Sequence, residues 1–131
     1  MRDDALDDKI IVVDDQQPMR LLLVGLLRSL KFVNVRQAAS GARALAMIKE
    51  SRPDVVFLDL EMPDMHGLEV LEQMREMDGG QDIFVVVQTG SATKENVERA
   101  RELKVDDLLA KPYNREKLEV SIRRYRASGV G

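Results

Sequence analysis

Three acids, a hydroxyl and a lysine each stand at or just past the end of a short apolar run. Asp14 and Asp15 follow Ile10-Ile11-Val12-Val13, and Asp59 follows Val55-Val56-Phe57-Leu58. Gln88-Thr89 follow Ile83-Phe84-Val85-Val86-Val87, and Lys111-Pro112 follow Asp107-Leu108-Leu109-Ala110. Carboxylates brought together repel one another and lose hydration, so such a cluster calls for a cation or for protons. Mg²⁺ suits it, as a hard ion usually held by one or two carboxylates, waters and a phosphate. The chain has no cysteine and one histidine, His66, which argues against a zinc centre and excludes disulfides and a thiol nucleophile. An ammonium and a hydroxyl beside the acids supply what a transferring phosphoryl group requires. Its oxygens are met by metal, ammonium and hydrogen bonds, with a carboxylate as acceptor.

These residues meet only if the apolar runs are neighbouring strands. In an open α/β sheet, ligands bind outside the carboxyl ends of the strands. The runs at 10–13, 55–58 and 83–87 are continuous rather than alternating, as in strands buried on both faces of a parallel sheet. Val33-Asn34-Val35 is the second strand candidate, and Asp107 to Ala110 the fifth. Between them the spacing is helical. Met19, Leu22, Leu23, Leu26, Leu27 and Leu30 form a stripe behind Pro18. Ser40 caps a helix through Leu45 and Ile48 that Arg52-Pro53 ends. Leu68, Leu71 and Met74 mark a third helix, entered at His66-Gly67 and closed by Gly79-Gly80. From Thr93 to Lys104 only Val97, Ala100 and Leu103 face inward, so this helix is expected to be the most loosely held. Asn114 caps the last helix, with Leu118, Ile122 and Tyr125 inside. Five strands alternating with five helices imply right-handed crossovers and a doubly wound, five-stranded parallel sheet of the α/β class.

Composition narrows the function classes. At 131 residues the chain is expected to be one domain, 1–131, with frayed ends over the first eight residues and from Ser128 to Gly131. Twenty Lys and Arg against 23 Asp and Glu give a net charge of −3, which argues against DNA binding through bulk positive charge. The longest apolar run, Leu21 to Leu27, has seven residues and cannot enter and span a bilayer. An acidic N-terminus without an apolar stretch does not read as a signal peptide, so the expected location is the cytoplasm. No G-x-G-x-x-G turn is present, which excludes a dinucleotide oxidoreductase.

Taken in order, the sequence Ile-Ile-Val-Val-Asp14-Asp15, Asp59-Leu-Glu-Met-Pro63-Asp-Met-His-Gly67, Val-Val-Val-Gln-Thr89 and Lys111-Pro112 resembles the receiver domain of two-component response regulators. The resemblance covers about residues 8–127. It implies a flavodoxin-like fold of strand order 2-1-3-4-5. It also implies that Asp59 accepts a phosphoryl group from a sensor histidine kinase or phosphotransfer protein. Asp15, Asp59 and the backbone carbonyl of Glu61 would ligate Mg²⁺, with Asp14 acting mainly through a metal-bound water. Lys111 would pair with Asp59 and then with the phosphoryl oxygens. Thr89 would move to hydrogen-bond the new group. The chain would be a phosphoacceptor that assists its own phosphorylation and dephosphorylation rather than an enzyme on outside substrates. The family often has a cis peptide before the proline of Lys111-Pro112. With no output domain expected, the surface of the fourth helix, fifth strand and fifth helix would bind a separate effector.

Some positions depart from the family pattern. Leu108 stands three residues before the lysine, where an aromatic is usual, so switching must use other packing; Tyr113 is expected in the core. Gly90 replaces the usual alanine and loosens its loop. Glu61 and Ser91 are expected near the mouth of the site, governing how water attacks the acyl phosphate. From Lys111 onward six basic residues oppose two acids. The alternative reading is therefore an adaptor of the same fold with vestigial phosphorylation, whose Arg123, Arg124 and Arg126 bind a nucleotide messenger or protein partner.

Overall fold

The structure, a computed structural model, describes residues 6–129. Five strands alternate with five helices: β1 (Ile10–Val13), α1 (Gln17–Ser29), β2 (Val35–Ala38), α2 (Gly41–Glu50), β3 (Val55–Asp59), α3 (Gly67–Glu76), β4 (Phe84–Thr89), α4 (Lys94–Glu102), β5 (Asp107–Ala110) and α5 (Arg115–Ala127), with a short 3₁₀ turn at Gly80–Asp82. The sheet is parallel throughout, in the order β2-β1-β3-β4-β5. This is the expected doubly wound arrangement.

The three continuous apolar runs became the three central strands because their alternate side chains feed two cores. Ile11, Val13, Val56, Leu58, Val85 and Val87 pack with Ala44, Met47 and Ile48 of α2, with Val70, Leu71 and Met74 of α3, and with Ala100 of α4. Ile10, Val12, Val55, Phe57, Phe84 and Val86 pack on the other face with Leu23, Val24 and Leu27 of α1 and Leu118, Ile122 and Tyr125 of α5. Side chains cap four helices as their sequences imply: Ser40, Thr93 and Asn114 accept backbone N–H groups three residues on, and His66 Nδ1 accepts from Leu68 at 3.1 Å. His66 has the helix-entry role expected of it.

Three expectations need correcting. The second strand is Val35–Ala38, two residues later than the Val33-Asn34-Val35 run. Lys31, at φ 82°, turns the chain after α1, and Phe32 bridges to Leu6, which leaves Val33 exposed. An edge strand needs only one covered face, and its sequence Val-Arg-Gln-Ala carries little apolar signal. The α1 stripe is also rotated. Leu23, Val24 and Leu27 are buried while Leu22 is 56% exposed; a helix with leucine on nearly every side does not declare its inner face. Finally, residues 6–8 are tied down rather than frayed. Leu6 donates to Lys31 O at 2.8 Å, and Asp8 accepts the Tyr125 hydroxyl at 2.6 Å. Ser128 likewise is bonded to Tyr125 O, whereas residues 1–5 and 130–131 lie outside the described residues.

Candidate functional site

Strand register brings the acids together. Val13 lies opposite Leu58, so the next residue on each strand sets Asp14 beside Asp59 at the carboxyl rim. Both are buried, at 1% and 2% exposure, while Asp15 is half-buried. Carboxylate oxygens of Asp14, Asp15 and Asp59 lie within 4.8 Å of one another. On the far side Thr89 pairs with Ala110, and Lys111 N donates to Thr89 O at 2.7 Å, which delivers the lysine to the same rim. The Lys111–Pro112 peptide is cis. Lys111 Nζ lies 3.3 Å from Asp59 Oδ1 and 3.4 Å from Asp14 Oδ2, an ion pair to both buried acids. The residue that caps α1 is Gln16, and Asp14 Oδ1 accepts its N–H at 2.9 Å.

Burial pushes the Asp59 carboxyl up from 3.8 to about 6; Lys111 opposes this and the Asp14 charge adds to it. One ammonium therefore does not balance the cluster, which is the electrostatic setting for a divalent cation. The donors are all carboxylate oxygens with no imidazole or thiolate among them, a set that fits Mg²⁺.

The loop after β3 is placed by two contacts. Asp64 accepts the Gly41 and Ala42 N–H groups at 3.1 and 3.2 Å, clipping the loop to the start of α2, and these bonds hold its carboxyl below the usual range. Gly67 approaches so closely that a Cβ there would sit 2.4 Å from Asp59 O and 2.7 Å from Leu60 Cα. The Glu61 N–H in turn donates to Asp59 Oδ1 at 3.3 Å. Its side chain reaches across the rim: Oε2 accepts the Thr89 hydroxyl at 2.6 Å and Oε1 the Gly90 N–H at 3.1 Å. Ser91 joins through its backbone, donating to Thr89 Oγ1 at 2.9 Å. Asp14, Asp15, Asp59, Glu61, Thr89, Gly90, Ser91 and Lys111 are thus brought to one rim.

Residues 10–123 match the response regulator receiver domain family. The chain belongs to that family. It is 31% identical over 120 residues to sporulation initiation phosphotransferase F of Bacillus subtilis, covering 92% of this chain and 94% of that protein. It is 34% identical over 115 residues to chemotaxis protein CheY-3 of Vibrio cholerae, covering 85% and 88%. The solved structure of the CheY4 chemotaxis protein of Vibrio cholerae superposes with a TM-score of 0.85 at 27% identity, over 92% of this chain and 99% of that one. As a receiver domain the chain is a phosphoacceptor module of two-component signalling.

Within this receiver, Leu108 is half-buried against the core beneath α2, α3 and α4. Tyr113 packs on the opposite core, so it does not replace the missing ring. Its hydroxyl donates to Gln88 Oε1 at 2.7 Å, and burial pushes its pKa up. Gln88 is itself buried, and its Nε2 finds no partner among the described residues. This polar pair was missed from sequence, although a glutamine closing an apolar run was its signal. Of the C-terminal arginines, Arg124 binds Asp107 at 2.7 Å and Arg126 lies over the Phe32 ring at 5.5 Å. Two of the three charges proposed for a basic docking face are thus engaged within the fold. No helix among the described residues is long and apolar enough to cross a membrane.

Proposed function

We propose that Asp59 is the phosphoacceptor of this receiver domain, taking a phosphoryl group from a phosphohistidine on a sensor kinase or phosphotransfer protein in the cytoplasm. The observation that carries this reading is the shared ion pair, in which Lys111 Nζ stands 3.3 and 3.4 Å from two buried carboxylates. A lysine so placed keeps Asp59 available as an anion despite its burial, and afterwards faces the new phosphoryl oxygens. An Asp59 oxygen attacks phosphorus, the P–N bond breaks, and the imidazole leaves with a proton. Asp14, Asp15, Asp59 and the Glu61 carbonyl would hold Mg²⁺. When bound, the ion neutralises charge on the phosphoryl oxygens. Thr89 then turns its hydroxyl to the added group, which carries a charge of ~−2.

The response is expected in the loops after β4 and β5. The first of these leads into α4, in which only Ala100 is fully buried. A helix so weakly anchored is a bistable element that a local charge change can bias. The surface of α4, β5 and α5 would then be read by a protein effector. The engaged state of Arg124 and Arg126 leaves the adaptor reading with Leu108 as its main support.

The test is incubation with Mg²⁺ and acetyl phosphate, followed by intact mass. A gain of one phosphoryl group that Asp59→Asn loses is expected; no gain in the unaltered protein would overturn the proposal.

A further inference from the structure

We infer that the Glu61 side chain is a built-in occupant of the phosphoryl pocket, a positioning residue that holds the Thr89 hydroxyl and the Gly90 N–H and must leave before a phosphoryl group can use them. The inference rests on Asp59 being the acceptor. Its geometry is a two-pronged grip, one carboxylate oxygen on each donor, at 2.6 Å to Thr89 and 3.1 Å to Gly90. A 2.6 Å hydroxyl-to-carboxylate contact has the length of a charge-assisted bond, roughly twice as strong as a neutral one.

The competition is stoichiometric. A threonine hydroxyl has one proton and a backbone amide has one. Ser91 N–H already donates to Thr89 Oγ1 at 2.9 Å, so the hydroxyl is oriented to give its proton outward, and it gives it to Glu61. Both donors are therefore spoken for by an anion before any phosphoryl group arrives.

Release is local. The Glu61 backbone is fixed by its N–H bond to Asp59 Oδ1, and its neighbours Leu60 and Met62 are buried. The Glu61 residue itself is exposed, so the carboxylate can rotate into water without disturbing packing. The exchange of a singly charged carboxylate for a more highly charged phosphoryl group then frees the Thr89 loop from the β3–α3 loop. Phosphorylation thereby breaks one cross-rim tie as it makes another.

The test is a titration with beryllium fluoride and Mg²⁺, followed by amide NMR, on the unaltered protein and on Glu61→Ala, Glu61→Asp and Asp59→Asn. Removing the occupant should tighten binding roughly tenfold in Glu61→Ala. Glu61→Asp keeps the charge but is one methylene short of both donors, so it should tighten similarly. In the free proteins both variants should shift the Gly90 and Ser91 amide resonances, a change that loss of charge at a distance would not confine to these two residues. Unchanged affinity in both variants overturns the inference. So does tightening in Glu61→Ala with Glu61→Asp binding like the unaltered protein, because charge alone then explains the gain. Absence of binding in the unaltered protein, or equal binding in Asp59→Asn, instead overturns the acceptor assignment on which the inference rests.

Discussion

The Asp59 carboxyl is held where its charge is costly, and pH should expose that cost. Its pKa is raised to about 6 by burial, against 3.8 for a solvated aspartate. A raised pKa means that the folded state binds the proton more tightly than the unfolded chain does. The stabilising contribution is thus fully present below pH 3.8 and is lost as pH rises through about 6. Without divalent cations, Asp59→Asn should stabilise the protein at pH 7.5 by on the order of 1 kcal/mol after solvent screening. Urea titrations should show the gain shrinking towards zero between pH 6 and pH 4. A loss of stability at pH 7.5 would show that the ion pair with Lys111 outweighs burial. Gly67 packs against the Asp59 backbone. Gly67→Ala places a methyl 2.4 Å from Asp59 O, and overpacking against backbone costs ~2 kcal/mol or more, read as a lower urea midpoint at unchanged slope. Asp14, Asp15, Asp59, Thr89 and Lys111 were legible in the sequence because each closes an apolar run. The grip of Glu61 on Thr89 and Gly90 was not, since it joins two loops whose relative height no spacing rule sets.

Among the elements, legibility followed burial on two faces. The runs in β1, β3 and β4 announce themselves because both sides of those strands need apolar residues. The edge strand β2 and the leucine-rich α1 do not, since one covered face leaves the other unconstrained. The sparse inner face foreseen for α4 is present, but its anchorage comes from outside its own sequence. Arg75, 8% exposed in the last turn of α3, donates to Gly80 O and Ile83 O at 2.8 Å and to Lys104 O at 2.7 Å. It also reaches Leu103 O at 3.2 Å and lies 3.5 Å from Asp106 Oδ2. One guanidinium thus ties α3, the 3₁₀ turn and the chain between α4 and β5. Arg75→Met would leave these carbonyls without their donor at a cost of about 3 kcal/mol. Hydrogen exchange should then show α4 losing protection at lower denaturant than β1. Uniform loss across both would mean that Arg75 supports the whole fold rather than this joint.

The molecule as a whole keeps these two tasks at opposite ends of one sheet. Arg75 binds at Ile83 and Asp106, just before β4 and β5 begin, while Thr89 and Lys111 stand where those strands end. At ~3.3 Å per residue, the five residues from Asp106 to Lys111 separate the rims by roughly 17 Å. Contributions from sites that far apart, with no shared partners, should add. A cation bound only by the folded state at ten times its dissociation constant stabilises by about 1.4 kcal/mol. For a chain of this size that is a rise in Tm of about 5 °C. The unaltered protein should show such a rise with Mg²⁺, and Arg75→Met should start from a lower Tm yet rise by the same amount. Asp15→Ala removes one of three converging carboxylates, so its Tm should barely respond to the ion. Differential scanning calorimetry with and without Mg²⁺ on the three proteins decides the matter. If Arg75→Met abolishes the rise, the rims are coupled through the strands, and the lower joint belongs to the switch as much as the acidic rim does.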